Sequence, residues 1–238
     1  MYFCAASNPT YIMKLTYYGH ACFAVETAGK TLLFDPFITP NELAGNIDIN
    51  TIKADYMLLS HGHGDHVADA PAIVKNTGCT VIAAFEVAEW MGKQGAENTH
   101  PMNIGGKRAF DFGTVKCVSA IHSSVMPDGT YGANPMGFVV TTEEKNFYYS
   151  GDTALTMDMT LIPKWAKLHF AVLCIGDNFT MGYKDAIEAA RMVNCTQVVG
   201  VHYDTFGYIK LDKEKALKAF NDAGITLHLP GIGESIDL

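Results

Sequence analysis

Between residues 60 and 66 the chain reads Ser60-His61-Gly62-His63-Gly64-Asp65-His66, directly after the apolar run Tyr56-Met57-Leu58-Leu59. The apolar run predicts a buried strand that ends by delivering three imidazoles and a carboxylate into a loop. Imidazole nitrogen and carboxylate oxygen are the usual ligands of zinc and its neighbours, and catalytic sites keep one coordination position for water. In extended backbone, alternate side chains point the same way, so His61 and His63 can share one ion. Asp65 and His66 follow where the chain must bend and can serve a second ion beside the first. Gly62 and Gly64 add no side chain that would obstruct an ion or substrate, and they permit backbone angles other residues avoid. A surface loop that is merely rich in histidine has no reason to show this spacing.

The other elements can be read around that loop. Leu15–Tyr18, Cys22–Glu26 and Thr31–Phe34 predict an antiparallel opening, with Ala28-Gly29-Lys30 as a turn. His20 sits between the first two strands, either as a structural residue or at the site. Asp35 ends the third strand before Pro36; it is either a turn residue or an acceptor for the second N–H of a ligating imidazole. The segment 37–51, with Pro40, Gly45 and three asparagines, predicts a loop able to cover the site. Helices are expected over 67–75, 85–94, 161–168, 183–194 and 212–223. Thr80–Ala84, Phe170–Ile175 and Gln197–Val201 are short apolar runs that predict buried strands. Strand and helix alternating after His66 imply parallel pairing with right-handed crossovers. Residues 102–106, 109–112 and 115–120 predict a return to antiparallel strands, and 137–141 with 146–150 predict a hairpin.

The strand-end pattern then repeats. His122 and His202 each terminate an apolar strand at the edge of a polar loop, as His61 does. Asp152, in Ser150-Gly151-Asp152-Thr153, also follows a buried strand, where an aspartate can equally be a helix N-cap. Thr180 can cap the helix that starts at Tyr183. His100, His169 and His228 lack such a setting and are assigned to structure.

Composition narrows the function. Apolar residues at 48% and charged residues at 18% are those of an ordinary globular chain. A formal net charge of −8 argues against general affinity for nucleic acid or anionic membrane, since both need a basic surface. The six cysteines are scattered among apolar neighbours with no C-x-x-C pair, which predicts reduced core thiols in a cytoplasmic protein. No run reaches the roughly 18 apolar residues of a membrane span. Residues 1–12 read as an N-terminal extension outside the core and 13–238 as one domain.

His61-x-His63-x-Asp65-His66 after an apolar strand resembles the signature of the metallo-β-lactamase superfamily. Gly19-His20-Ala21-Cys22-Phe23 and Asn178-Phe179-Thr180-Met181-Gly182 are similar to stretches of its small stand-alone branch related to the ascorbate-6-phosphate lactonases. The resemblance implies an α/β fold, a four-layer αββα sandwich with the site where strands end. It implies a first ion on His61, His63 and His122, and a second on Asp65, His66 and His202. It makes Asp152 the bridge between them, with Asp65 and Asp152 as the catalytic carboxylates. It also places Asp35 in support of the ligands and His20 and Asn178 near substrate. Two divalent ions are expected, zinc first, with manganese, iron or nickel suited to the same donors. A bound dication lowers the pKa of water from 15.7 to about 7, so the implied activity is hydrolysis of a small anionic metabolite, a lactone or ester first. A small-molecule phosphodiesterase is the alternative, and a non-hydrolytic metal or redox protein a third reading. The expected partner is the substrate alone, without nucleic acid or membrane; a homo-oligomer is left open.

Overall fold

The computed structural model describes residues 12–238. The chain opens with β1 (Lys14–Gly19), β2 (Cys22–Thr27) and β3 (Lys30–Phe34), an antiparallel meander. The β2–β3 turn is tight: Ala28 and Gly29 have φ of 50° and 71°, the left-handed pair that matches the strand twist. A long connection with two short 3-10 turns, Glu42–Ala44 and Ile49–Thr51, leads to β4 (Tyr56–Leu59). Then come α1 (Gly64–Val67), α2 (Ala70–Thr77), β5 (Thr80–Ala84), α3 (Phe85–Lys93) and β6 (Thr99–Met102). From β3 to β6 the pairing is parallel.

The second sheet begins with β7 (Lys107–Phe110), β8 (Gly113–Ser119), β9 (Met136–Thr141) and β10 (Phe147–Tyr149), all antiparallel. It continues in parallel through β11 (Phe170–Cys174), α4 (Tyr183–Met192), β12 (Gln197–Val201), α5 (Lys213–Asp222) and β13 (Thr226–His228). The last strand, β14 (Ser235–Asp237), returns to the first sheet and pairs with β1. The sheets are therefore β14-β1-β2-β3-β4-β5-β6 and β13-β12-β11-β10-β9-β8-β7.

Their facing sides share one apolar core in which Phe23 and Phe34 of the first sheet meet Phe138, Phe147 and Tyr149 of the second. A separate apolar layer packs α4, α5 and the 3-10 segment Met157–Lys164 on the outside of the second sheet. On the outside of the first, α3 packs against β5 and β6. This is the expected α/β architecture, two mixed sheets between layers of helix.

Four local expectations need correction. Residues 102–106 are not an antiparallel strand: Met102 ends the parallel strand β6, and 103–106 form the turn that crosses to the second sheet. The helix expected over 161–168 is a 3-10 segment, Met157–Lys164, which contains Pro163, a residue with no N–H for the α-helical ladder. The helix expected over 67–75 is two, broken at Ala68-Asp69, where Asp69 Oδ2 accepts from the backbone of Ile38 and Thr39. Thr180 does not cap α4; Gly182 holds the cap position without a side-chain bond. Of the expected N-terminal extension only Ile12 is among the described residues, and it is exposed. The five described cysteines are buried and free, and no described helix is long and apolar enough to cross a membrane.

Candidate metal centre

The two sheets bring their strand ends together along one edge. β4 ends into His61 and His63, and α1 carries Asp65 and His66. The residues after β8, β10 and β12 supply His122, Asp152 and His202. His61, His63 and His122 offer atoms within 4.8 Å of one another, and so do His20, Asp65, His66 and His202. Asp152 Oδ2 lies between the two groups, 3.6 Å from His122 Nε2, 3.1 Å from His66 Nε2 and 2.9 Å from His202 Nε2. The structure thus brings together all seven residues expected to hold metal, in two groups with a carboxylate between them. A Cβ on Gly62 would press on Met126 Sδ and, at 3.0 Å, on the backbone Cα of Gly132; a Cβ on Gly64 would meet nothing within 4 Å.

One carboxylate organises the imidazoles. Asp35 is fully buried; its Oδ1 accepts from Ser60 N at 2.8 Å, and its Oδ2 accepts from Ser60 Oγ at 2.5 Å, His66 Nδ1 at 2.8 Å and Tyr149 Oη at 2.6 Å. An ionised carboxylate only accepts, so His66 carries its proton on Nδ1 and presents Nε2 to the centre. Ser60 spends its hydrogen on Asp35, so its oxygen accepts from His61 Nδ1 at 2.9 Å, which leaves His61 Nε2 as a lone pair. That nitrogen faces His63 Nδ1 at 3.0 Å.

These atoms fit a cation. A neutral His66 would aim the Nε2 lone pair at the Asp152 carboxylate 3.1 Å away, an arrangement that needs a positive charge between them. Asp152 Oδ1 and both ring nitrogens of His202 are buried without a well-aligned hydrogen-bond partner, which costs free energy unless something else satisfies them. Without metal, protons take that place. Burial disfavours the charged form of His66 and His202, but the carboxylate of Asp152 outweighs it, raising His66 well above the ordinary imidazole value and His202 to about 9. Burial likewise works against ionised Asp65 and Asp152, yet the imidazoles around them hold both carboxyls well below the usual range. His61, in contrast, is driven well below its ordinary value by burial and by the charge of His66.

His20 is at the site. Burial and the neighbouring charge of His202 lower its pKa to about 4, so it is neutral. Its Nε2–H donates to Asp65 Oδ2 at 2.9 Å, and its Nδ1 accepts from the Thr205 hydroxyl at 3.0 Å. The backbone joins the sheets here, because His202 N donates to His20 O at 2.8 Å. Both residues have left-handed backbones, φ 54° and 59°, as does Asp35 at 39°; such sparsely populated angles gather at functional sites. Asn178 is exposed, and its side chain makes no hydrogen bond to the centre. Ser60, Tyr149 and Thr205 were not anticipated. The two serine and threonine hydroxyls lie next to recognised positions, but nothing in an apolar strand marks Tyr149 as the partner of Asp35.

A cavity of 760 Å³ opens onto Asp65. Phe37 and Phe206 flank His20, with ring centroids 5.4 and 5.3 Å away, and Phe179 meets Tyr208 at 6.0 Å on the outer rim. The loop 37–51, expected to cover the site, contributes Phe37, Pro40 and Glu42 to this wall.

Known proteins share the fold and the sequence. A family model described as the beta-lactamase superfamily domain matches residues 30–203. A UPF0173 metal-dependent hydrolase of Flavobacterium johnsoniae is 55% identical over 226 residues, covering 95% of this chain and 100% of that protein. The metal-dependent hydrolase YtkL of Bacillus subtilis is 45% identical over 238 residues, with the same coverage of 95% and 100%. The solved structure of Igni18, a metallo hydrolase from Ignicoccus hospitalis, matches with a TM-score of 0.86 at 30% identity, covering 95% of this chain and 98% of that one.

Proposed function

The chain belongs to the metallo-β-lactamase superfamily and is a metal-dependent hydrolase, and from that premise we propose that it cleaves the ester or lactone bond of a small molecule with two divalent ions, zinc first. The observation that carries this reading is the position of Asp152 Oδ2 between a group of three imidazoles and a group containing Asp65, His66 and His202. His61, His63 and His122 would hold one ion, Asp65, His66 and His202 the other, and Asp152 would touch both. Such ions supply a water that ionises near neutral pH and a Lewis acid for the oxygen that gains charge.

The chain's own residues do the positioning. Asp35 fixes His66 directly and His61 through Ser60, so the Nε2 atoms of both face inward before anything binds. His20 holds Asp65 by its Oδ2, and the side chain of Asp65 is 26% exposed at the floor of the cavity. An ionised Asp65 there can accept a hydrogen bond from a water entering with the substrate and so orient it. Phe37 and Phe206 give the same wall an apolar lining beside His20.

The test is a panel of lactones, carboxylic esters and phosphodiesters run on protein of measured metal content. Turnover of a lactone or ester that is lost on chelation and restored by zinc is expected. His122→Ala and His202→Ala should each lose metal and activity together. Variants with full metal content and full turnover would overturn the assignment. The phosphodiesterase alternative finds less support, because no lysine or arginine lines the cavity for a phosphate.

A further inference from the structure

Resting on the hydrolytic reading, we infer that the cavity beside Asp65 admits substrates whose non-reacting part is an aromatic or branched apolar group that is uncharged or positively charged, and turns away anions. The wall is made by Phe37, Phe179, Phe206 and Tyr208, and its charged side chains are Glu42 and Asp65. Sequence alone suggested an anionic metabolite, yet no cationic side chain reaches this wall.

The two lysines that follow Tyr208 in the chain are already engaged. Lys210 Nζ donates to Asp204 O at 2.7 Å, and Lys213 Nζ pairs with Asp204 Oδ2 at 3.1 Å while lying over the Tyr203 ring. The two arginines are remote: Arg108 is on the edge strand β7, and Arg191 on α4 is paired with Glu188. An anionic tail seated here would meet Glu42 and the negative faces of aromatic rings, with no charged donor in return. A cationic or neutral tail finds the opposite: ring faces attract a cation, and Glu42 adds an opposite charge at the mouth. Ions held by His61, His63 and His122 and by Asp65, His66 and His202 would act on the bond being cleaved, so the two ends of the substrate would meet fields of different sign.

The experiment separates recognition from turnover. Benzyltrimethylammonium, benzyl alcohol and phenylmethanesulfonate share one ring and differ in charge. Their binding to the zinc-loaded protein is read by saturation-transfer NMR, and kcat/KM is measured in parallel for phenyl acetate and its 4-trimethylammonio and 4-sulfonato derivatives. The cation and the alcohol should bind, with the sulfonate weaker by about fivefold, the scale of one exposed charge contact. Glu42→Gln should narrow that gap, and Glu42→Lys should reverse the order of cation and sulfonate. Phe179→Ala with Tyr208→Ala should weaken the alcohol about threefold, as loss of an aromatic contact does. A sulfonate that binds as well as the cation, an order unmoved by Glu42→Lys, or no binding by any probe would overturn the inference. Probes that bind in the expected order while no ester is cleaved would instead sink the hydrolytic reading and leave the pocket's preference standing.

Discussion

Without the carboxylate of Asp35, four donors lose their acceptor at once: Ser60 N, Ser60 Oγ, His66 Nδ1 and Tyr149 Oη. Asp35→Asn keeps the size but turns an amide donor toward some of them. We expect a loss of about 3 kcal/mol in denaturant unfolding and a fall of about 10–100-fold in metal affinity. Wild-type values in both titrations would contradict the role. Protons and a metal held by these residues would compete for the same atoms. A raised imidazole pKa stabilises the metal-free fold fully below the ordinary 6.5, and that contribution is lost as pH climbs through about 9, the value of His202. The depressed carboxyls of Asp65 and Asp152 act in the other direction, stabilising above the usual carboxylate range and failing as pH falls. The gap in Tm between zinc-loaded and chelated protein should therefore widen from pH 6.5 to 9, and zinc uptake at pH 7 should release protons in calorimetry across buffers. A gap that stays flat over that range would count against it. At this scale the sequence was readable where donors crowd together, at 61–66, and where histidines end strands, at His122 and His202. It was silent about Tyr149, because a phenol inside an apolar run has a partner only once two sheets are stacked.

β11 and β12 run side by side, and their last residues must pass closely for His202 to reach the centre. A Cβ on Gly176 would collide with the carbonyl oxygen of His202, so Gly176→Ala has to push the end of β12 away. The expected outcome is a lower Tm together with loss of about half the bound metal, since only the group containing His202 is displaced; metal analysis and calorimetry check both. Gly92, in α3, has open space around it, and Gly92→Ala should raise stability by about 0.5–1 kcal/mol. Elements with a clear period or an apolar run were legible, among them the opening meander, β11, β12 and α5. The 161–168 error has a local cause, Pro163, and others fall where tertiary pairing decides. β14 has three residues, too few to show alternation, and exists because β1 offers it an edge. In residues 102–106, Asn103, Gly105 and Gly106 are turn residues, and after Met102 the segment holds the crossing from one sheet to the other.

Neither sheet owns the candidate centre. The first supplies His20, Asp35 and residues 61–66, the second His122, Asp152 and His202, and only the packed pair assembles both groups. Binding that requires both sheets stabilises their packing, and at a free metal concentration 1,000 times Kd the gain is about 4 kcal/mol. For a chain of this length that is about 10 °C in Tm, which scanning calorimetry with and without chelator will show. A chelated protein melting at the same temperature as the loaded one would mean that the ions do not bridge the halves. Phe37, Glu42, Phe179 and Tyr208 stand on the connections around the rim, and none of them belongs to the candidate ion-binding groups. Substitutions at these loop positions can accordingly reshape what the cavity admits without displacing any of the buried imidazoles behind it.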